Sequence, residues 1–190
     1  MLVLASRSPR RRQLLEMLGI PHEVDPADVP EDEAPGEAGD ALAIRLARAK
    51  AVQVAGRHPG ELVLGADTVV AVEDRLLGKP ASPAEAARML GELSGREHRV
   101  ITAVALARDG TLAERHDVTR VWFRPLTAAA IAAYVATGES LDKAGGYGVQ
   151  GYGAVLVERI EGDFFSVMGL PVRLVVELLE AAGRPYRFSR

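Results

Sequence analysis

Short apolar runs alternate with amphipathic stretches along the chain, and most of them end at a glycine, a proline or a small polar residue. Leu2 to Ala5 predicts a first strand, and Pro9 to Leu18 predicts a helix with Leu14, Leu15 and Leu18 on one face and Gly19 as its stop. His22 to Val24 reads as a short strand. Asp25 to Gly39 is acidic and rich in proline and glycine, which predicts a loop. A loop of that length inside a compact domain usually serves a function. Asp40 is expected to cap a second helix reaching about Ala55, with Leu42, Leu46 and Ala49 at helical spacing. Leu62 to Val72 predicts a strand interrupted at Gly65-Ala66-Asp67-Thr68, and Glu73-Asp74-Arg75 turns the chain into Leu76-Leu77.

Ser82-Pro83-Ala84-Glu85 has the pattern of a capping box with proline at the first helical position, opening a helix to about Leu93 that stops at Gly95. Arg99 to Ala107 and Leu112 to Phe123 predict two long strands joined at Asp109-Gly110, a hairpin signal. Thr127 caps a further helix to Ala136 that ends at Gly138. Glu139 to Gly153 is glycine-rich, Ala154 to Ile160 reads as a strand, and Pro171 to Ala182 closes the chain with an amphipathic helix. Hairpins mixed with helices predict an α/β or α+β fold with a mixed sheet. With no internal repeat and no linker, residues 1–190 read as one domain, or as two small lobes without a clean boundary.

Composition narrows the class. The chain has 190 residues, enough for a substantial core. A hydrophobic fraction of 48% with 26% charged residues is ordinary for a soluble globular protein. The net charge of −3 argues against a general nucleic-acid binder, which would be basic. There is no cysteine, which excludes disulfides and thiolate chemistry. No signal-peptide pattern opens the chain, and no apolar run approaches the roughly 20 residues that span a bilayer. The expectation is a cytoplasmic protein without a membrane partner.

The chemistry concentrates in a few places. Leu4-Ala5-Ser6-Arg7-Ser8-Pro9-Arg10-Arg11 runs from a strand through two hydroxyls into a helix N-terminus. Free backbone N–H groups, the helix dipole and guanidinium forks there suit an anion, and the expected guest is a phosphate chain. Ser6 and Ser8 are candidate binding residues with Arg10 and Arg11. A solvated face is the plain alternative for Arg7, Arg10, Arg11 and Arg12. Asp67 lies in an apolar strand, where a carboxylate must be paired, hydrogen-bonded or metal-bound; a structural Asp is the alternative. Lys50, taken alone within its helix, is expected to face solvent, and Glu31 sits in the acidic loop. Together these residues sketch a Mg²⁺–polyphosphate site, with Asp67 and Glu31 as candidate metal ligands. A carboxylate beside the metal could activate water for attack at phosphorus.

Other patterns carry less. Gly146-Tyr147-Gly148-Val149-Gln150-Gly151 fits G-x-G-x-x-G, but it leads into a predicted strand and not a helix, which excludes a dinucleotide fingerprint. Its glycines are expected to let backbone approach a ligand closely. Gly78-Lys79-Pro80 lacks the spacing of a P-loop. His22, His58, His98 and His116 show no metal-ligand spacing and are expected in the core or on the surface.

The chain resembles the Maf family of nucleoside triphosphate pyrophosphatases, also described as septum formation inhibitors, over nearly its whole length. The resemblance rests on the opening segment, on Leu46-Ala47-Arg48-Ala49-Lys50-Ala51, on Gly65-Ala66-Asp67-Thr68-Val69-Val70 and on Gly78-Lys79-Pro80. It extends through Asp142-Lys143-Ala144-Gly145-Gly146-Tyr147-Gly148-Val149-Gln150-Gly151 and Gly162-Asp163 to Gly169-Leu170-Pro171. It implies an elongated, two-lobed mixed α/β fold similar to the inosine triphosphate pyrophosphatases, with a central cleft and often a homodimer. It also implies hydrolysis of a nucleoside triphosphate to the monophosphate and pyrophosphate with a divalent cation, Mg²⁺ or Mn²⁺.

By position, Asp67 matches the family's proton acceptor, and Glu31, Lys50 and Lys79 match its other charged catalytic residues. Ser8, Arg10 and Arg11 match its phosphate-binding loop; Arg10, Thr68 and Gln150 match positions linked to base selectivity. The stretch ending in Gln150 is similar to the branch acting on dTTP and UTP, where the branch acting on 7-methyl-GTP has a different pattern. A Gln amide offers the donor and acceptor that suit a uracil or thymine edge. Phe165-Ser166-Val167-Met168 departs from the family's usual Asn-Val-Val. The alternatives are a purine or 7-methyl-GTP pyrophosphatase and a non-catalytic nucleotide-binding regulator of cell division.

Overall fold

The apolar opening run forms a short strand, β1 (Leu2–Leu4), whose three side chains are all fully buried. The computed structural model describes residues 1–188. Ser8 caps helix α1 (Pro9–Met17), with Pro9 in its first turn, and Gly19 leaves the helix at φ 63°. Strand β2 (His22–Val24) precedes the expected loop. Helix α2 (Gly39–Ala55) starts two residues earlier than the sequence suggests, because Ala38 and not Asp40 occupies the cap. Asp40 lies inside the first turn, where a carboxylate still complements the helix dipole.

Strand β3 (Leu62–Val72) runs unbroken through Gly65-Ala66-Asp67-Thr68, where an interruption was expected. The physical reason lies in helix α2. A Cβ on Gly65 would stand 2.2 Å from the Ala47 carbonyl oxygen and 2.6 Å from the Ala51 amide nitrogen. Glycine is therefore needed for strand and helix to touch backbone to backbone. Asp67 can stay in an apolar strand because a charged partner meets it there.

Glu73, at φ 52°, turns the chain into β4 (Arg75–Leu77). Helix α3 (Pro83–Leu93) begins as predicted, with the Glu85 amide donating to the Ser82 hydroxyl at 3.2 Å. Strands β5 (Glu97–Arg108) and β6 (Thr111–Phe123) meet at Asp109-Gly110, whose φ values of 48° and 80° are those of a tight hairpin turn. Helix α4 (Ala128–Ala136) is capped by Thr127. The region read as a strand from Ala154 divides instead into a 3₁₀ turn (Tyr152–Leu156) and β7 (Val157–Glu161). A short helix α5 (Phe164–Met168), absent from the sequence reading, is nucleated by Asp163, whose carboxylate accepts from the Phe165 and Ser166 amides. Helix α6 (Val172–Ala181) ends the described fold.

The strands make one mixed sheet of seven, in the order β2-β1-β3-β5-β6-β7 with β4 beside β3. Pairing is parallel for β1 with β2 and β3, and antiparallel for β3–β4 and β6–β7. The fold is thus mixed α/β. The chain divides into two compact units: residues 1–67, 102–117 and from 169 onward form one, and 68–101 and 118–168 the other. In the first, Leu2, Val3, Leu4, Leu15, Val54 and Val63 are buried; in the second, Leu90, Leu93, Phe123, Tyr147 and Leu156 are. Among the described residues no helix is long and apolar enough to cross a membrane.

Candidate functional site

In the first unit, the chain leaves β1 and doubles back on itself around Ser6. The Ser6 hydroxyl accepts from the Ser8 amide at 3.2 Å and from Arg11 Nη1 at 3.1 Å. Ser8 in turn caps α1 by accepting from the Arg11 amide at 3.5 Å. Arg11 also donates through Nη1 to the Ala66 carbonyl at 2.8 Å and through Nε to the Gly169 carbonyl at 2.7 Å. Its guanidinium therefore struts the loop, and the side chain is buried. Burial pushes the Arg11 pKa down, while the charges of Asp67 and Glu31 pull it back up, so both carboxylates lie within electrostatic reach. Arg10 is half-buried beside it; Arg7 and Arg12 are exposed, and Arg12 pairs with Glu16 one helical turn on. The arginine run is thus a solvated face at Arg7 and Arg12 and an interior strut at Arg11.

Lys50 does not face solvent, contrary to its local sequence context. It is 8% exposed, as is Asp67. Its ammonium donates to Asp67 Oδ1 at 2.6 Å and pairs with Glu31 Oε1 at 2.5 Å. The two carboxylates converge on one cation. This is how a charge survives in β3: the lysine comes from the α2 face that Gly65 brings into backbone contact.

Glu31 reaches Lys50 because the acidic loop lies antiparallel along α2. The Asp25 carboxylate accepts from Arg57 at 2.8 and 2.9 Å and lies 2.8 Å from His58 Nε2. Gln53 holds both polar groups of the Asp28 backbone, at 2.6 and 2.8 Å. Arg45 grips Glu37 bidentately at 2.7 Å and donates to the Asp32 carbonyl at 2.9 Å. The Arg45 fork, helped by the Ala34 amide, holds the Glu37 carboxyl down at about 2. The loop is in effect a strap, laced to residues 57, 53, 50 and 45 in turn.

The second unit carries Thr68, Lys79 and Gln150. Thr68 follows Asp67 in β3 and is half-buried; Lys79 and Gln150 are exposed. The Gly78 carbonyl beside Lys79 accepts from the Gly145 amide at 3.1 Å, which joins the Lys79 segment to the glycine-rich loop. That loop does not need its glycines only for an outside ligand. Added Cβ atoms would lie 2.1 Å from Glu139 Oε2 at Gly151, 2.6 Å from Lys143 Cε at Gly148, and 2.5 Å from the Gly148 oxygen at Gly153. The close approach is made to the protein's own groups. Tyr147 is buried against His98 and Phe123, with ring centroids 5.4 and 4.7 Å away, and its hydroxyl lies 2.7 Å from His98 Nε2. Burial pushes the His98 imidazole down to about 4, so it is neutral near pH 7.

Sequence reading missed Gln53, Arg45, Tyr134 and Glu139, none of which sits in a local pattern of its own, and left His98 open between core and surface, where the structure buries it. The pairing of 53 with 28 is visible only once the strap is laid on the helix. For a cation, the donor chemistry fits: two carboxylates meet at one point, and ions of the Mg²⁺ type take one or two carboxylates plus substrate phosphate oxygens. Among the described residues no group of three or more His, Cys, Asp or Glu gathers that could hold a metal by itself, so such an ion would depend on substrate oxygens.

The chain matches the model of the family described as Maf-like protein over residues 1–182. It is 54% identical over 184 residues to a dTTP/UTP pyrophosphatase of Moorella thermoacetica, covering 96% of this chain and 95% of that one. A dTTP/UTP pyrophosphatase of Myxococcus xanthus is 52% identical over 187 residues, with 97% and 94% covered. One of Symbiobacterium thermophilum is 48% identical over 184 residues, with 97% and 95% covered. Among solved structures, a Ham1 protein of Staphylococcus aureus gives a TM-score of 0.47 at 15% identity, over 82% of this chain and 79% of that one.

Proposed function

We propose, from the premise that this chain belongs to the Maf-like protein family, that it is a pyrophosphatase converting dTTP and UTP to the monophosphate and pyrophosphate. The observation that carries this reading is the Lys50 ammonium held between Asp67 and Glu31, beside the capped loop of Ser6, Ser8 and Arg11. Relatives about half identical over nearly their full length bear that activity in their names.

Water attacks the α-phosphorus in line with the bridging oxygen to the β-phosphorus. That bond breaks, and pyrophosphate departs. Asp67 serves either as the base that takes the proton from water or as a metal ligand, and what supports either role is a carboxylate fixed from one side by Lys50 at the middle of β3. The β- and γ-phosphates meet the positive dipole end of α1 and the guanidinium of Arg10. Arg11, already bound to Ser6, Ala66 and Gly169, acts mainly by holding that loop in shape. Lys50 and Lys79 offset the charge that develops on the leaving group. A divalent cation, Mg²⁺ or Mn²⁺, would be held by Asp67 and Glu31 together with substrate phosphates, and would supply Lewis-acid stabilisation of the same charge. Gln150 and Thr68 are assigned to base selectivity, with the Gln150 amide suited to pair with a uracil or thymine edge.

The test is pyrophosphate release from dTTP, UTP, CTP, GTP, ITP and 7-methyl-GTP with Mg²⁺ or Mn²⁺, beside Asp67→Asn. Release from dTTP and UTP that disappears in a folded Asp67→Asn variant is the expected result. Near-normal turnover by that variant removes Asp67 from the chemistry. Preference for a purine triphosphate overturns the role given to Gln150.

A further inference from the structure

The loop that bears Gln150 is held by a carboxylate with no part in the proposed chemistry, that of Glu139. Glu139 follows α4, and its two oxygens divide three donors: Oε2 accepts from the Tyr152 amide at 2.8 Å, and Oε1 from the Gly153 amide at 3.1 Å and the Tyr134 hydroxyl at 2.9 Å. Tyr134 then uses its oxygen to accept from the Gly148 amide at 3.1 Å. Gly148 and Gly151 close a turn around Val149-Gln150, with the Gly151 amide donating to the Gly148 carbonyl at 3.4 Å. Both ends of that turn therefore rest on one carboxylate and one hydroxyl. Gly151 can come this close only for want of a Cβ, which would lie 2.1 Å from Glu139 Oε2. Partial burial raises the Glu139 carboxyl, but the Gly153 and Tyr152 amides and the Tyr134 hydroxyl outweigh it and hold the group below its ordinary range. It is thus an acceptor for all three donors near neutral pH.

This matters because a glutamine amide is ambidextrous. One face order meets the N3–H and O4 of uracil; turned over, the same amide meets the N3 and N4–H₂ of cytosine. Discrimination between the two needs the amide held in one orientation, and a loose loop would lose it.

We infer that Glu139, with Tyr134 as its relay, is a positioning residue that fixes the Gln150 turn and thereby sets the preference for uracil and thymine over cytosine. The inference rests on the base-reading role given to Gln150 above and names the groups that make it selective. Neither residue touches the nucleotide; both act through the turn.

The experiment measures kcat and KM for UTP and CTP in the wild type, Glu139→Gln, Tyr134→Phe, Gln150→Ala and a core control, Leu93→Ala, with amide hydrogen exchange on the same samples. Glu139→Gln keeps the shape but turns an NH₂ toward a backbone donor. It should raise KM for UTP more than it lowers kcat, and shrink the UTP-over-CTP ratio of kcat/KM roughly tenfold, the scale of one lost hydrogen bond. Tyr152 and Gly153 should exchange faster. Tyr134→Phe should move the same ratio in the same direction, less far, and free the Gly148 amide. Leu93→Ala should lower stability without moving the ratio, since a smaller folded fraction affects both substrates alike. If Gln150→Ala loses the preference while folded Glu139→Gln and Tyr134→Phe keep it, the inference is overturned and the base-reading role stands. If the wild type shows no preference for UTP over CTP, the base-reading role fails, and the inference with it.

Discussion

Residues 25–37 are tied to α2 by exposed charged and amide side chains, whereas residues 147–153 are tied down by a buried tyrosine and by glycines seated on a carboxylate. Both segments carry residues assigned to the substrate, Glu31 in one and Gln150 in the other. The difference suits what each has to do. A carboxylate that meets a cation gains from a support that can yield by an ångström as phosphates and metal arrive. An amide that must tell one base from another gains from a support that does not yield. Exposed ion pairs are screened and individually weak, while buried hydrogen-bonded groups are costly to break.

The sharpest way to break this comparison is at Lys50, where the strap meets the strand. Lys50→Met leaves Asp67 buried without its cation, so stability should fall by about 3 kcal/mol and pyrophosphate release by at least roughly 100-fold. Urea denaturation and a turnover assay report the two separately. Turnover within about tenfold of wild type would mean that the carboxylate pair is not organised for the chemistry.

Acid should act on the second region through His98. Its folded pKa, near 4, lies below the unfolded value of 6.5, so between those limits the unfolded chain binds the extra proton. Stability present above pH 6.5 is therefore lost as pH falls toward 4, by up to about 3 kcal/mol. The slope of urea midpoint against pH over that window should be smaller in His98→Leu. Equal slopes would show that the imidazole does not titrate with unfolding.

Weaker effects are expected on the strap. Gln53→Leu removes both bonds to the Asp28 backbone, three residues before Glu31, and should raise KM for UTP roughly threefold with kcat nearly unchanged. A fall in kcat with KM unchanged would instead tie the strap to the chemical step. Smallest of all, raising salt from 0.1 to 1 M, which shortens the screening length from about 10 to 3 Å, should speed hydrogen exchange in residues 28–37 about twofold and leave 148–153 unmoved. A matching increase in both segments would erase the distinction.

What could be read from the chain alone follows the same division. The starts and stops of α1, α3 and α4 were legible because the signal is local: Ser8 before Pro9, Ser82 before Pro83, Thr127 before α4, and glycines at the exits. The hairpin at Asp109-Gly110 was legible for the same reason. Local reading failed where tertiary contact decides. Lys50 looks like a surface lysine until Asp67 lies 2.6 Å away, and β3 looks broken at Gly65 until α2 lies across it. The strand expected from Ala154 begins only at Val157, because the 3₁₀ turn from Tyr152 starts on amides that Glu139 holds. Ser6, Ser8, Arg11 and Asp67 stood out as charged or hydroxyl residues in apolar or motif settings, whereas Glu31 and Lys50 took their roles from the family resemblance. Glu139, Tyr134 and Gln53 did not, since each acts only through a backbone group distant in sequence.

The contact between Gly65 and α2 sets a rule for recombination. Strand and helix meet there through main-chain atoms, with the Ala47 carbonyl where a side chain at 65 would begin. No exchange of side chains elsewhere can make room for one. Any chimera that joins an α2 from one relative to a β3 from another must therefore reproduce that backbone seat before Lys50 can find Asp67. Residues 47 to 67 are in that sense a single heritable block, and crossovers should be placed on either side of it.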